Sequence, residues 1–510
     1  MKRTELTTRP SVLSARHIDE PMLSFGRNGM HPDPKFGLSL YGPWTLPGLV
    51  EPEPQSLKLG IVGDRDGLAS AKAFFERTRR RIEGNPDRPT LTPAFPGFEQ
   101  ALRCKLQFAP AWEKTIKRAL VDSVPKANTF QGRVNEAVEA IAQELQRLKE
   151  AGPRPTVVVV ALPEKWLKPC GIVTGGDGAI EKSTAERRLA AKVRRHQRVG
   201  QGTIVDFDPD ELEELLDDEG HGEFYKRLKI RAMEIGLPVQ ICKPATFTEG
   251  KGLQHIATRA WNLSVALYHK AGGYPWRLQH LDQDTCYVGI SFYRDPDKNM
   301  RTSMAHIFTP TGRGLVLRGI KIPWPDNDKR SPHLPSAEMA RDLLTSAINL
   351  YRSHQKTPPR RVVVHKTSNF WIEEREGFEQ AAEGIAELDL VAIQKRGIKL
   401  FRHGQKAPLR GSMVELGSGN FVIYTKGYVP FLRCYPGPRV PDPIEVVEHV
   451  GDSTPEALAR EILALSKMNY NNADYGDLMP ITLRFADQVG EILAEMPEEM
   501  DPPQENHYYM

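Results

Sequence analysis

Apolar positions along the chain fall into short blocks that switch between two periods. Leu57-Lys58-Leu59-Gly60-Ile61-Val62-Gly63 is a brief apolar run closed by glycine and reads as a strand. Thr156-Val157-Val158-Val159-Val160-Ala161-Leu162 is apolar on both faces, the pattern of a fully buried parallel strand. A further strand is expected at Pro238–Cys242. Around these runs a helical period predicts helices over about Leu68–Arg80, Ala111–Leu120, Val134–Ala151, Glu223–Ile235 and Leu253–Lys270. Strands alternating with helices imply a doubly wound α/β sheet. Ala271-Gly272-Gly273-Tyr274-Pro275-Trp276 interrupts the pattern and is the expected domain boundary.

A second unit opens at Tyr287-Val288-Gly289-Ile290-Ser291-Phe292-Tyr293. Strands follow near Ser303–Thr309 and Gly314–Gly319, then a helix over Ser336–Ser353 and a strand at Arg361–His365. Next come a helix at Glu376–Ile385, strands at Leu388–Gln394 and near Phe421–Tyr424, and helices at Pro455–Ser466 and Ile481–Leu493. Three strands, a helix, a strand and further α/β elements match the order of an RNase H-like fold. Residues 1–55 are rich in Pro and Gly and read as an extended arm lying on another surface.

Composition narrows the class. With 510 residues, 26% of them charged and 40% hydrophobic, there is chain enough for several domains and a large core. No apolar run approaches the ~18 residues of a membrane span, and Met1 to Glu5 lack an apolar signal core. Cys104, Cys170, Cys242, Cys286 and Cys434 form no CxxC pair, which points to a reducing cytoplasm rather than a disulfide framework or zinc knuckle.

A net charge of +4 conceals strong patterning. Basic residues dominate Lys182–Arg198, and an acidic run, Asp206–Glu219, follows directly. Together they suggest a charged surface insertion at about 180–220. The stretch Lys395, Arg396, Lys399, Arg402, Lys406, Arg410 contains no acid. Such segments either follow a phosphate backbone or form solvated faces.

Several motifs then occur in order. The leader holds Glu20-Pro21-Met22-Leu23-Ser24-Phe25-Gly26, Asp33-Pro34-Lys35-Phe36-Gly37-Leu38 and Tyr41-Gly42-Pro43. The second unit holds Val288–Phe292, Val362-Val363-Val364-His365-Lys366-Thr367 and Leu478-Met479-Pro480-Ile481-Thr482-Leu483-Arg484-Phe485-Ala486. In these segments the chain resembles a short prokaryotic Argonaute over nearly its whole length. The resemblance implies an arm at 1–55, a Rossmann-like MID domain at 56–275 and an RNase H-like PIWI domain at 276–510.

For the MID domain the resemblance implies a site for the guide 5′-phosphate at Tyr225, Lys229, Gln240 and Lys270. Tyr225 and Lys229 are four residues apart and share one helix face. The ring could stack on a base, the lysines supply charge and the amide donates a hydrogen bond. Read without the family, the same residues describe a surface helix with Tyr and Lys; Lys226 and Lys243 are alternative cations. The resemblance also implies Mg²⁺ at the phosphate, held partly by Gln240 and the terminal carboxylate of Met510.

For the PIWI domain the resemblance implies three acids and a fourth acid or His that hold two metal ions for cleavage. Their places are taken by Ser291, Thr367 and, at the fourth position, His449. Hydroxyls cannot neutralise metal charge as carboxylates do, so no target cleavage is expected. Asp284 and Asp295 flank the first strand as the nearest acids. The guide–target duplex is expected along Arg360, Arg361, Lys366, Lys395, Arg396, Lys399 and Arg402.

What the resemblance implies overall is a guide-loaded sensor of a prokaryotic defence system. It would carry a short guide RNA, recognise single-stranded DNA of a plasmid or phage, and activate an APAZ-containing effector with a TIR, sirtuin-like or nuclease domain. Two alternatives stay open: a stand-alone guide-directed protein that blocks its targets, and an active endonuclease with an atypical metal site. Gly60-Ile61-Val62-Gly63-Asp64 lacks a full dinucleotide-binding fingerprint.

Overall fold

The computed structural model describes residues 13–172 and 222–510, apart from 47, 50–51, 151, 251–252, 280–283, 295–299, 308–313, 323–331, 396–398, 401–403, 405–406 and 437–440. The charged insertion at about 180–220 lies outside them, as do Arg396, Arg402 and Asp295.

The leader is built into the molecule rather than laid across it. Ala15–His17 (β1) pairs antiparallel with residues 412–414. Leu23–Ser24 (β2) and Met30–His31 (β3) pair with each other. Pro34–Tyr41 (α1) is a capped helix: the Asp33 carboxylate accepts from the N–H groups of Lys35 and Phe36, at 2.8 and 3.0 Å, and Pro34 fills the first turn.

A parallel sheet comes next. Its strands are Ser56–Gly63 (β4), Lys105–Gln107 (β5), Glu113–Thr115 (β6), Val157–Ala161 (β7) and Val239–Cys242 (β8). β5 and β6 pair with successive parts of one edge of β4; β7 and then β8 extend the other side. Helices Arg65–Thr78 (α2), Phe130–Glu150 (α3), Glu223–Ile235 (α4) and Ile256–Lys270 (α5) connect or cover it. The helix expected at Ala111–Leu120 is replaced by a turn, β6 and a short helix at Arg118–Ser123. Pairing with β4 overrides helical propensity there, with Trp112 and Ile116 buried on either side of the half-buried to exposed β6.

After Arg277–Leu278 (β9), which pairs with β2, comes a nine-stranded mixed sheet. Thr285–Arg294 (β10), Met300–Ile307 (β11) and Gly314–Ile322 (β12) form an antiparallel meander. Helix Ala337–Gln355 (α6) crosses to Arg361–Lys366 (β13), parallel to β10; helix Ile372–Ala381 (α7) crosses to Glu387–Lys395 (β14), parallel to β13. Ser412–Gly417 (β15), Asn420–Ile423 (β16) and Ile444–Val450 (β17) continue it, and β1 closes the far edge. Helices Pro455–Leu465 (α8) and Ile481–Leu493 (α9) follow. The first sheet is Rossmann-like and the second RNase H-like.

α7 begins four residues earlier than expected because the Glu374 side chain accepts from the Trp371 N–H at 2.9 Å. α9 lies directly on β10. A Cβ on Gly289 would come within 2.2 Å of the Thr482 carbonyl oxygen, so only glycine admits this helix. Among the described residues no helix is long and apolar enough to cross a membrane.

Candidate nucleic-acid interface

α5 is buried at every residue except Asn262, in an apolar core shared by both sheets. Its last residue, Lys270, is therefore carried inside. Lys270 is 2% exposed, and its Nζ has no hydrogen-bond partner among the described residues. Burial pushes its basicity down to about 7, against an opposing pull from Cys242. An unpartnered buried cation is costly unless an anion joins it.

Lys229 sits beside it on α4, 1% exposed. Its Nζ donates to the carbonyls of Val239, at 3.0 Å, and Tyr508, at 3.5 Å, and to the main-chain oxygen of Met510. Burial, then Lys270, lowers Lys229 well below the usual lysine range. Half-buried Tyr225 lies one turn earlier, its ring centroid 5.5 Å from the Lys229 Nζ. Gln240 is half-buried on β8, on the sheet face shared by Cys242, and Nε2 reaches the Ile241 carbonyl at 3.5 Å. Met510 is 3% exposed. Tyr225, Lys229 and Met510 thus meet directly, and Lys270 acts electrostatically on Lys229. Of the alternative cations, Lys226 reaches Glu491 on α9 at 3.7 Å, and half-buried Lys243 directly follows β8.

The pocket's donors suit an anion. Magnesium fits it only together with a phosphate, because two lysines outweigh what Gln240 and Met510 bring. Among the described residues no group of three His, Cys, Asp or Glu side chains is placed to hold a metal ion.

In the second sheet, the β10–β13 register runs through Ile290 opposite Lys366, which sets Ser291, within β10, beside Thr367, just past the end of β13. The Ser291 hydroxyl donates to the Asp487 carboxylate on α9, and Thr367 is exposed. The Asp284 carbonyl accepts from the Arg360 N–H at 2.9 Å, at the far end of β10. His449 does not join this group. It lies on β17, three strands from β10 and so on the order of 14 Å away. Its Nε2 is 2.7 Å from Asp389 Oδ1. Burial would raise the Asp389 carboxyl, but His449, Ser453 and Arg361 hold it well below the usual range.

The expected duplex-lining residues are divided. Lys366 is wholly buried and paired with Glu374, which is also buried; it cannot reach a phosphate. Arg361 is 5% exposed and committed to Asp389 and Glu461. Exposed Arg360 pairs with Glu387 at 2.7 Å beside it. Lys395 is exposed at the opposite end of β14, roughly 26 Å along the strand. Lys399 follows, bridged to Asp442 at 2.9 Å. Of these five described residues, only Lys395 and Lys399 lie toward the Ser291 end on the surface.

Three contributors escape sequence reasoning. Asp487 and Gln488 on α9 touch Ser291 and the Tyr509 carbonyl, the latter at 3.1 Å. Glu20 in the leader binds Arg410 at 3.0 Å and Lys467 at 2.6 Å, all largely buried. Helical spacing could pair Asp487 with the exposed side of α9; nothing local marks Glu20.

No protein-family model and no curated protein matches the chain. Solved structures do. Clostridium butyricum Argonaute bound to a guide DNA and a 19-mer target DNA matches with TM-score 0.59 at 13% identity, over 96% of this chain and 54% of that one. Drosophila Piwi matches with TM-score 0.56 at 12% identity, over 97% and 56%. The A. aeolicus Argonaute matches with TM-score 0.55 at 14% identity, over 96% and 55%. The chain spans about half the length of these proteins. Its two sheets, with the α5 core between them, make an Argonaute-like fold.

Proposed function

We propose that the chain binds a short RNA guide by its 5′-phosphate and pairs that guide with single-stranded DNA of an invading plasmid or phage. It then signals through an APAZ-containing effector in a prokaryotic cytoplasm, without cutting the target itself. The observation that carries guide binding is the buried Lys270 side chain, whose Nζ has no hydrogen-bond partner among the described residues, near Lys229, which in turn lies against the Tyr225 ring. A phosphate would supply the missing counter-charge, and Tyr225 would stack on the adjoining base. Gln240 and the Met510 carboxylate are the residues that would help hold Mg²⁺ beside the phosphate, where it would supply positive charge to offset the phosphate's remainder.

Lack of cleavage rests on Ser291 and Thr367, which stand side by side where the resemblance calls for metal-bridging carboxylates. Target recognition then falls to base pairing, with the protein gripping the backbone. A second reading, cleavage through an atypical metal site, draws on one observation: the Asp487 carboxylate beside Ser291.

Both readings meet in one experiment. The purified chain is offered the same RNA with a 5′-phosphate or a 5′-hydroxyl, then complementary DNA with Mg²⁺ or Mn²⁺. The phosphorylated guide should bind tighter by about tenfold, or about 1.4 kcal/mol, and the DNA should stay intact. Equal affinities refute the pocket; a discrete DNA product refutes the non-cleaving reading.

A further inference from the structure

β10, β13 and β14 run parallel, and Ser291, Thr367 and Lys395 lie toward or just past their carboxyl ends. An open α/β sheet takes its ligands outside those ends. The segment that leaves β13 there, residues 367–371, is firmly held. Ser368 donates its hydroxyl to the Pro332 carbonyl at 3.0 Å. The Phe370 N–H donates to the Glu448 carboxylate at 2.7 Å, and the Trp371 N–H to Glu374 at 2.9 Å. The other oxygen of buried Glu374 accepts from the Leu334 N–H at 2.8 Å. Between Pro332 and Leu334 lies His333, 5% exposed, whose ring stacks on Trp371 with centroids 4.3 Å apart and planes 20° apart. Two loops are thereby clamped around one aromatic pair.

Trp371 is half-buried with this backing, and the next residue, Ile372, is 69% exposed, more than any other large apolar side chain among the described residues. One exposed apolar side chain alone is ordinary. Beside a tryptophan fixed from behind, it extends an apolar ledge. Exposed Glu373 and Glu376 follow on α7. The ledge therefore offers a nucleic-acid strand no cation for its phosphates, only a surface for a base. From Thr367 to Trp371 the chain spans at most about 14 Å, so the ledge lies within about four nucleotide steps of Thr367.

We propose that Trp371 and Ile372 form a subsite for an unpaired nucleobase of the guide or the target strand. Bases inside a duplex are already stacked on one another. A side-chain ring meets the face of a base only where that stack opens, at a duplex end or a splayed nucleotide. His333 and Glu374 hold Trp371 in place beforehand, so little side-chain freedom is lost on stacking. Every base has a π-face, so the subsite marks where pairing stops rather than which base is present. Lys395 and Lys399 would hold the backbone at the same end of the sheet, while the ledge holds a base. The inference rests on the guide–target reading above.

Moving a single abasic nucleotide along the RNA guide, and separately along the DNA target, tests it with the full chain. At one position in one strand the missing base should cost about tenfold in affinity, and the strand that carries it identifies the source of the base. In Trp371→Ala that loss should vanish, because the intact strand then binds as weakly as the abasic one; Trp371→Phe should retain it. Ile372→Ser, at an exposed site, should weaken the intact complex several-fold. None of these variants should change the slope of log affinity against log salt, since no phosphate contact is removed. A loss in Trp371→Ala that is equal at every abasic position makes Trp371 structural and overturns the subsite. If Trp371→Ala and Ile372→Ser bind intact and abasic strands as the unmodified chain does, the ledge meets a protein rather than a base, and the guide reading stands on its 5′-phosphate preference. If the unmodified chain shows no such preference, the guide reading fails and the subsite with it.

Discussion

Lys270 shows how one residue can be placed against its own stability. A lysine in water titrates near 10.4, but burial brings Lys270 to about 7. Between those values the unfolded chain binds more protons than the folded one, so stability rises with pH through that window. Below about pH 7 the full penalty is present, at about 1.4 kcal/mol per pKa unit. Lys270→Met should therefore raise the urea midpoint of the guide-free protein at pH 7, with the gain shrinking toward pH 10, while the preference for a 5′-phosphate disappears. A lower midpoint for the variant across that range would show that Lys270 is structural. The family resemblance marks Lys270 as a candidate; only the tertiary structure shows that its ammonium lacks a hydrogen-bond partner among the described residues.

Among the elements, the leader departs most from its sequence signature. Its lack of periodicity is that of an arm, yet it supplies an edge strand, a capped helix and the carboxylate between Arg410 and Lys467. Asp33-Pro34 is a local cap signal, but Glu20 is defined by partners 390 and 447 positions away, which no window contains. Truncating Glu20 leaves two buried cations without their carboxylate. Glu20→Ala should cost about 3–5 kcal/mol in urea unfolding. A loss below about 1 kcal/mol would mean the cluster is solvated in solution. β17 is hidden from sequence for a related reason: Glu445, Glu448 and His449 interrupt its apolar pattern, although it lies between β14 and β16 inside the sheet.

Across the whole molecule, charge that in sequence resembles one groove lining is sorted by the sheet. Arg361 and Lys366 are held in buried pairs, whereas Lys395 and Lys399, the latter bridged to Asp442, lie toward the Ser291 end. Charge reversal at Lys395 and Lys399 together should weaken guide–target duplex binding. It should also flatten the salt dependence, by about 0.9 in log–log slope for each phosphate no longer neutralised. Arg360→Glu, near the opposite end of the strands, should leave that slope unchanged. An unaltered slope in the double variant would place the duplex elsewhere.

By itself the sequence determined the alternation of strands and helices, the order of the two sheets, and the helix spacing that pairs Tyr225 with Lys229. These are set by short-range periodicity, which a chain carries in its own residues. Tertiary structure decided how each charge is engaged. It buried Lys366 against Glu374, set His449 on Asp389 three strands from Ser291, and brought Met510 to Lys229. It also left the Lys270 ammonium without a hydrogen-bond partner among the described residues. The physical reason is the same in each case: the state of a charge depends on which distant groups share its low-dielectric surroundings, and strand register and helix packing choose those groups.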